Sequence, residues 1–145
     1  MHTENTIFIK GDLRRIFEVA SDVEKWPEIL PHYRWVKLLS SSENEKTVEM
    51  AARRNCVPVK WGAVQRVFPE ENKITYTHIK GITKGMEVVW TLTPSPEGIK
   101  VAITHDLTWP CFGKWACRHI VGEFFVKYIA SKTLYHIKKK VESGK

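Results

Sequence analysis

Residues His119 to Val141 read HIVGEFFVKYIASKTLYHIKKKV. The stretch has no proline, and its apolar side chains return at helical spacing: Val121, Phe124, Phe125, Tyr128, Ile129, Leu134, Ile137 and Val141. This predicts one long amphipathic helix near the end of the chain. Lys138, Lys139 and Lys140 fall in its last turn, where unpaired carbonyls favour cations, and Gly144 follows as a stop. Ile120, Phe125 and Ile129 point to different sides, so the apolar surface is wider than a two-helix seam requires. A curved sheet is the expected cover.

Working back from the helix, the chain from Tyr33 onward has period two. It predicts strands at Arg34–Leu39, Thr47–Arg53, Val59–Phe68, Ile74–Lys80, Glu87–Thr93 and Lys100–Trp109. Turn-like separators divide them: Ser40-Ser41-Ser42, the segment before Pro58, Pro69 to Asn72, Gly81 to Gly85, and Pro94 to Gly98. Short loops make successive strands antiparallel neighbours. Ahead of them, Glu4–Lys10 alternates as a first strand, and Asp12 is placed to cap a helix with Leu13, Ile16, Phe17 and Ala20 on one stripe. Ser21 to Glu24 has capping-box spacing, Pro27 can open a further turn through Leu30, and Pro31 ends it. The expectation is a single α+β domain over residues 1–145, with seven strands curled around the terminal helix and two short helices after the first strand. Such a sheet leaves a cavity against its helix.

Alternation also assigns faces. The inner set is Val59, Trp61, Ala63, Gln65 and Val67, then Ile74, Tyr76 and His78. Met86, Val88, Trp90 and Leu92 follow, and last Ile99, Val101, Ile103, His105 and Trp109. Gln65, His78 and His105 thus fall in apolar registers. With minimal turns Gln65 faces Tyr76 or His78, His78 faces Trp90, and His105 lies near Val88. Each alone reads equally well as a satisfied core residue or as a ligand contact. Together they favour a band of polar groups among large aromatics, suited to a mostly apolar ligand with a few oxygens. Trp26 sits at the helix break capping one mouth of the sheet. Trp109 and Trp115 flank the loop into the terminal helix, where they could line an entrance or touch a membrane surface.

The bulk properties are those of a globular protein: 145 residues, 43% hydrophobic and 27% charged. No apolar run is long enough to span a membrane and no export signal opens the chain, so the expected location is cytoplasmic. Cys56, Cys111 and Cys117 are expected to be free thiols. The formal charge of +7 is spread over Arg14-Arg15, Arg53-Arg54, Lys80, Lys84 and Lys138 to Lys140, which fits a solvated basic surface better than a nucleic-acid face. Cys111, Cys117 and His119 match no zinc spacing, and no phosphate loop or Ser/His/Asp signature occurs; no metal or cofactor is expected. Nothing in the sequence speaks to oligomeric state.

The segment DVEKWPEILPHY, Asp22 to Tyr33, is followed by a strand, then by Trp61-x-Ala63-x-x-Arg66 and the long terminal helix. This order resembles the START/Bet v 1-like (SRPBCC) superfamily, in its polyketide cyclase/dehydrase and lipid transport branch, which holds aromatase/cyclases and coenzyme Q-binding proteins. The resemblance implies a helix-grip fold with a deep hydrophobic pocket between sheet and helix. It places Trp26, Tyr33, Trp61 and Ala63 at pocket positions. In aromatase/cyclases the next inward position is an arginine; here it is Gln65, with Arg66 on the opposite face. A neutral amide can hold a carbonyl but supplies no fixed charge for an enolate.

The leading functional expectation is a binder or carrier of a lipid, quinone or polyketide-like aromatic. Its contacts would be Trp26, Tyr33, Trp61, Ala63, Gln65, Tyr76, His78, Met86, Val88, Trp90, Ile103, His105, Phe124 and Tyr128. The alternative is a cyclase or dehydratase using His78, His105, Gln65 and Tyr33 in general acid–base roles, ahead of Tyr76 and Arg34. A third reading, suggested by ribosome-associated relatives and weakly by the charge, is a ribosome- or RNA-associated protein.

Overall fold

In a computed structural model, which describes residues 2–107 and 125–144, seven strands form one antiparallel sheet. They are β1 (His2–Ile9), β2 (Tyr33–Ser41), β3 (Glu45–Arg54), β4 (Val57–Phe68), β5 (Lys73–Gly81), β6 (Glu87–Ser95) and β7 (Gly98–Asp106). The spatial order is β1-β7-β6-β5-β4-β3-β2. β2 to β7 are a meander, as their short turns require. β1 returns to the far edge and pairs with β7 from His2↔Asp106 to Ile9↔Ile99.

β1 and β2 therefore occupy opposite edges, and the chain between them must cross the sheet. The crossing is made by α1 (Leu13–Ser21) and α2 (Trp26–Ile29). Asp12 caps α1, its carboxylate accepting from the Arg15 amide at 3.2 Å, and Ile16, Val19 and Ala20 are buried. The capping box expected at Ser21 does not form: the Ser21 hydroxyl donates back to the Phe17 carbonyl at 2.8 Å. A 3₁₀ turn over Val23–Lys25 leads instead into α2, with Pro27 in its first turn.

The described part of the terminal helix, α3, spans Lys127–Glu142, with π-type turns at Phe125 and Val126 before it. The expected start at His119, Phe124 and the end of the last strand at Trp109 lie outside the described residues, as do Cys111, Trp115 and Cys117. α3 buries Ile129, Ala130, Thr133, Leu134, Ile137 and Val141 on one stripe. It also covers the exposed edge of β1, which would otherwise offer unpaired backbone groups. Lys138 Nζ donates to the Phe8 carbonyl at 2.6 Å, and the Lys10 amide donates to Glu142 Oε2 at 2.9 Å. Lys138 thus reaches across to β1 and Glu142, leaving Lys139 and Lys140 in the last turn. The helix ends as expected at Gly144, whose φ of 72° is in the left-handed region.

Strand boundaries run longer than the alternation indicated, because pairing continues to the turns. β4, expected from Val59, already includes Pro58, which is paired with Arg53. The expected pairing of His78 with Trp90 is also corrected. The His78 amide donates to the Met86 carbonyl at 2.9 Å, and Trp90 lies opposite Ile74. The tight return at Gly81–Gly85 draws β6 along β5. Gly81 has a φ of 103°, and a Cβ there would sit 2.7 Å from the Lys60 carbonyl oxygen. Faces are unchanged by the slip, since it moves the register by an even number of residues.

Candidate functional site

Because side chains alternate, the inner face of β4 to β7 presents Trp61, Tyr76, His78, Val88, Trp90, Ile103 and His105 toward α3, which presents Ile129, Ala130 and Thr133. Trp26 and Tyr33 close the end where the chain enters β2. These surfaces do not fill the space between them. About 80 Å³ is open to the centres of water-sized molecules. One water needs roughly 10–15 Å³ on that measure, so there is room for a compact organic molecule.

The aromatic wall is continuous. Trp26 meets Tyr33 edge-on at 5.1 Å and Trp90 at 5.9 Å, while Tyr33 meets Trp61 at 6.0 Å. Trp61 lies flat against the His78 ring, 5.8 Å away and 3° from parallel. The Trp26 indole donates to the Val19 carbonyl at 3.2 Å, so its only polar atom is satisfied in the buried state.

Two imidazoles are set into this wall. His78 Nδ1 is 2.7 Å from Thr83 Oγ1, a buried hydroxyl supplied by the β5–β6 turn, which lines the cavity too. His105 sits beside Val88 in register, and its buried Nδ1 has no hydrogen-bond partner among the described residues. Burial lowers the His78 pKa to about 3, helped by His105. Burial likewise lowers His105 to about 4, against the opposing pull of Asp106. Both rings are neutral at pH 7, so each offers one donor and one acceptor. Tyr33 and Tyr76 are pushed well above the ordinary phenol range, chiefly by burial, and keep their protons. Among the described residues no Lys, Arg, Asp or Glu lines the cavity. An uncharged ligand is what such walls accept at low cost.

A further polar group comes from the helix. Thr133 Oγ1 donates to the Ile129 carbonyl at 2.7 Å, which spends its single proton. It therefore accepts from His32 Nε2, 2.9 Å away, and fixes that tautomer.

The expected residues divide accordingly. Trp26, Tyr33, Trp61, Tyr76, His78, Met86, Val88, Trp90, Ile103 and His105 line one cavity. Ala63 and Gln65 are buried on the same face but do not line it. Gln65 Nε2 donates to the Ser21 carbonyl at 2.8 Å and the Tyr76 hydroxyl at 3.0 Å, so it ties β4 and β5 to the end of α1. Arg66 is on the outer face in an ion pair with Glu45 at 2.9 Å, and Arg34 is exposed. Tyr128 faces a separate groove. Sequence reading missed Thr83, Thr133, Met50, Ile82, Val126 and Ala130. The first lies in a turn where alternation does not apply; Thr133 could have been found as a hydroxyl at i+4 from Ile129 on an apolar stripe.

The fold and the sequence both have relatives. The family described as "Polyketide cyclase / dehydrase and lipid transport" matches residues 9–117. A putative polyketide cyclase of Streptomyces cyaneus is 25% identical over 108 residues, covering 72% of this chain and 71% of the relative. The Zhui aromatase/cyclase of Streptomyces sp. R1128 superposes with a TM-score of 0.86 at 18% identity, covering 98% of this chain and 93% of that one. A START superfamily protein from Mycobacterium smegmatis gives 0.68 at 17% identity, covering 99% of each. The two structures share the START/Bet v 1-like fold with this chain. No helix among the described residues is long and apolar enough to cross a membrane.

Proposed function

This chain belongs to the polyketide cyclase / dehydrase and lipid transport family, and from that premise we propose that it binds a compact, uncharged hydrophobic molecule, polyketide-like or lipid-like, between the sheet and α3. The observation that carries this reading is the cavity itself. Among the described residues its aromatic walls carry no formal charge and hold a few hydrogen-bonding groups at fixed places, the pattern by which apolar ligands with sparse oxygens are oriented. Trp61 and Trp90 supply flat apolar surface, while His78, His105 and Thr83 supply polar contacts.

A titration with 2-naphthol, read by quenching of tryptophan fluorescence, tests it. Saturable binding is expected, and Ala130→Trp, which fills the hollow from α3, should abolish it. Undiminished binding by a folded Ala130→Trp protein would overturn the proposal.

The contact between His78 and Thr83 favours a second reading, acid–base catalysis of cyclisation or dehydration in the same cavity. A neutral imidazole can take a proton from the carbon between two ketone groups and return it to a departing hydroxyl. With no cation lining the cavity among the described residues, the enolate oxygen would be held by hydrogen bonds alone. Single-turnover assays with a reactive poly-β-ketone would show product distributions altered by His78→Phe and His105→Phe. An unchanged distribution in both removes this reading and leaves the binding one standing.

A further inference from the structure

Beside the cavity, on the adjacent face of α3, lies a groove lined by Pro31, His32, Arg53, Asn55, Tyr128, Lys132 and His136. Three elements meet there. His32 ends the connection from α2, Arg53 and Asn55 come from the end of β3 and its turn, and Lys132 and His136 are one turn apart on α3. The Arg53 amide donates to the His32 carbonyl at 2.9 Å, fixing those two side by side, and the His32 ring stacks on His136 at 6.2 Å. The Arg54 guanidinium covers the Tyr128 ring at 4.4 Å, so a further cation borders the site.

Among the described residues the groove has no acid in its lining. This is unusual for this surface, where Lys46 pairs with Glu24, Arg66 with Glu45, Lys73 with Glu71, Lys80 with Glu49 and Lys138 with Glu142. Arg53 and Lys132 have no acidic partner among the described residues. Like charges brought together without a counter-charge repel, and an anion between them relieves that repulsion.

We propose that this groove is a binding site for a phosphate-type oxyanion, held by Arg53, Lys132, His136 and the Asn55 amide. Arg53 supplies a planar fork that matches two phosphate oxygens, Lys132 a point charge, and Asn55 a neutral donor. The electrostatics agree with the geometry. Burial and then the charges on Lys132 and Lys139 hold His136 below its ordinary pKa, and burial, His136 and Lys132 hold His32 near 4. A bound anion reverses the charge contribution, so both imidazoles gain proton affinity when the site fills. His32 also touches Thr133 in the cavity wall, so it joins the groove to the cavity.

The experiment uses inorganic phosphate and, in a second arm, phosphatidylcholine vesicles containing phosphatidic acid. Phosphate binding is followed at pH 6 by calorimetry and by the NMR titration of His136. The Arg53→Ala/Lys132→Ala protein should bind phosphate about tenfold more weakly. The Lys37→Ala/Lys100→Ala protein, which removes equal charge elsewhere, should bind as the parent does. Phosphate should raise the His136 titration midpoint. If vesicle binding shows the same dependence on Arg53 and Lys132, a lipid headgroup is the source of the oxyanion; if it is indifferent to them, free phosphate is. Equal loss in both double variants, or a His136 midpoint that phosphate leaves in place, would overturn the proposal.

Discussion

On one face of α3, Ile129, Ala130 and Thr133 close a cavity against His78 and His105; on the adjacent face, Lys132 and His136 line a groove with His32 and Arg53. Both sides hold neutral histidines, but the surroundings differ. In the cavity, His78 is depressed by burial and then by His105. In the groove, permanent charges on Lys132 and Lys139 add to burial. The same residue type is therefore set against uncharged matter in one place and among permanent cations in the other, on adjacent faces of one helix.

The largest expected effect that separates the two regions is Trp26→Ala. Trp26 is 2% exposed and contacts Tyr33, Tyr76 and Trp90. Its loss should cost about 3–5 kcal/mol in urea unfolding and remove 2-naphthol binding. If the folded variant still binds phosphate, the two regions are independent. Next is Gln65→Leu, which leaves the Ser21 carbonyl and Tyr76 hydroxyl without their partner. A destabilisation of about 1–3 kcal/mol is expected, with ligand affinity little changed because Gln65 does not line the cavity. A large loss of affinity at unchanged stability would return Gln65 to the binding site.

The smallest effect at neutral pH grows in acid. His78 and His105 have folded pKa values of about 3 and 4, below the ordinary 6.5, so between these limits the unfolded chain binds protons that the folded chain refuses. Their contribution to stability is complete above pH 6.5 and is lost as pH falls through that window. Stability measured from pH 7 to 4 should fall, and less steeply in His78→Phe. Salt sharpens the contrast: raising it to about 1 M should lift the His136 midpoint by a few tenths of a unit and leave His78 in place.

Period-two alternation made the inner face of the sheet legible, because parity survives any even slip in register. That is why Trp61, Tyr76, Trp90, Ile103 and His105 fall on one wall although His78 pairs with Met86 instead of Trp90. Turn chemistry was less legible. Gly81 and Gly85 announced a turn, but only its closure, with the Met86 amide on the Thr83 carbonyl at 2.9 Å, turns Thr83 inward to His78. Polarity by itself misread Gln65. An inward amide looks the same in sequence whether it meets a ligand or a carbonyl from a distant helix, and Ser21 is far away in the chain. The groove was invisible for a related reason. Arg53 and Lys132 are remote in sequence, so their scatter along the chain concealed a cluster.

The central claim is that an apolar hollow exists between the sheet and α3. Diffraction from crystals pressurised with xenon tests it most directly, since dry apolar cavities take up xenon whereas polar, hydrated ones hold water. Xenon density is expected among Trp61, Trp90, Ile103 and Ala130. Closely packed side chains there, or a cluster of ordered waters that xenon does not displace, would contradict the account.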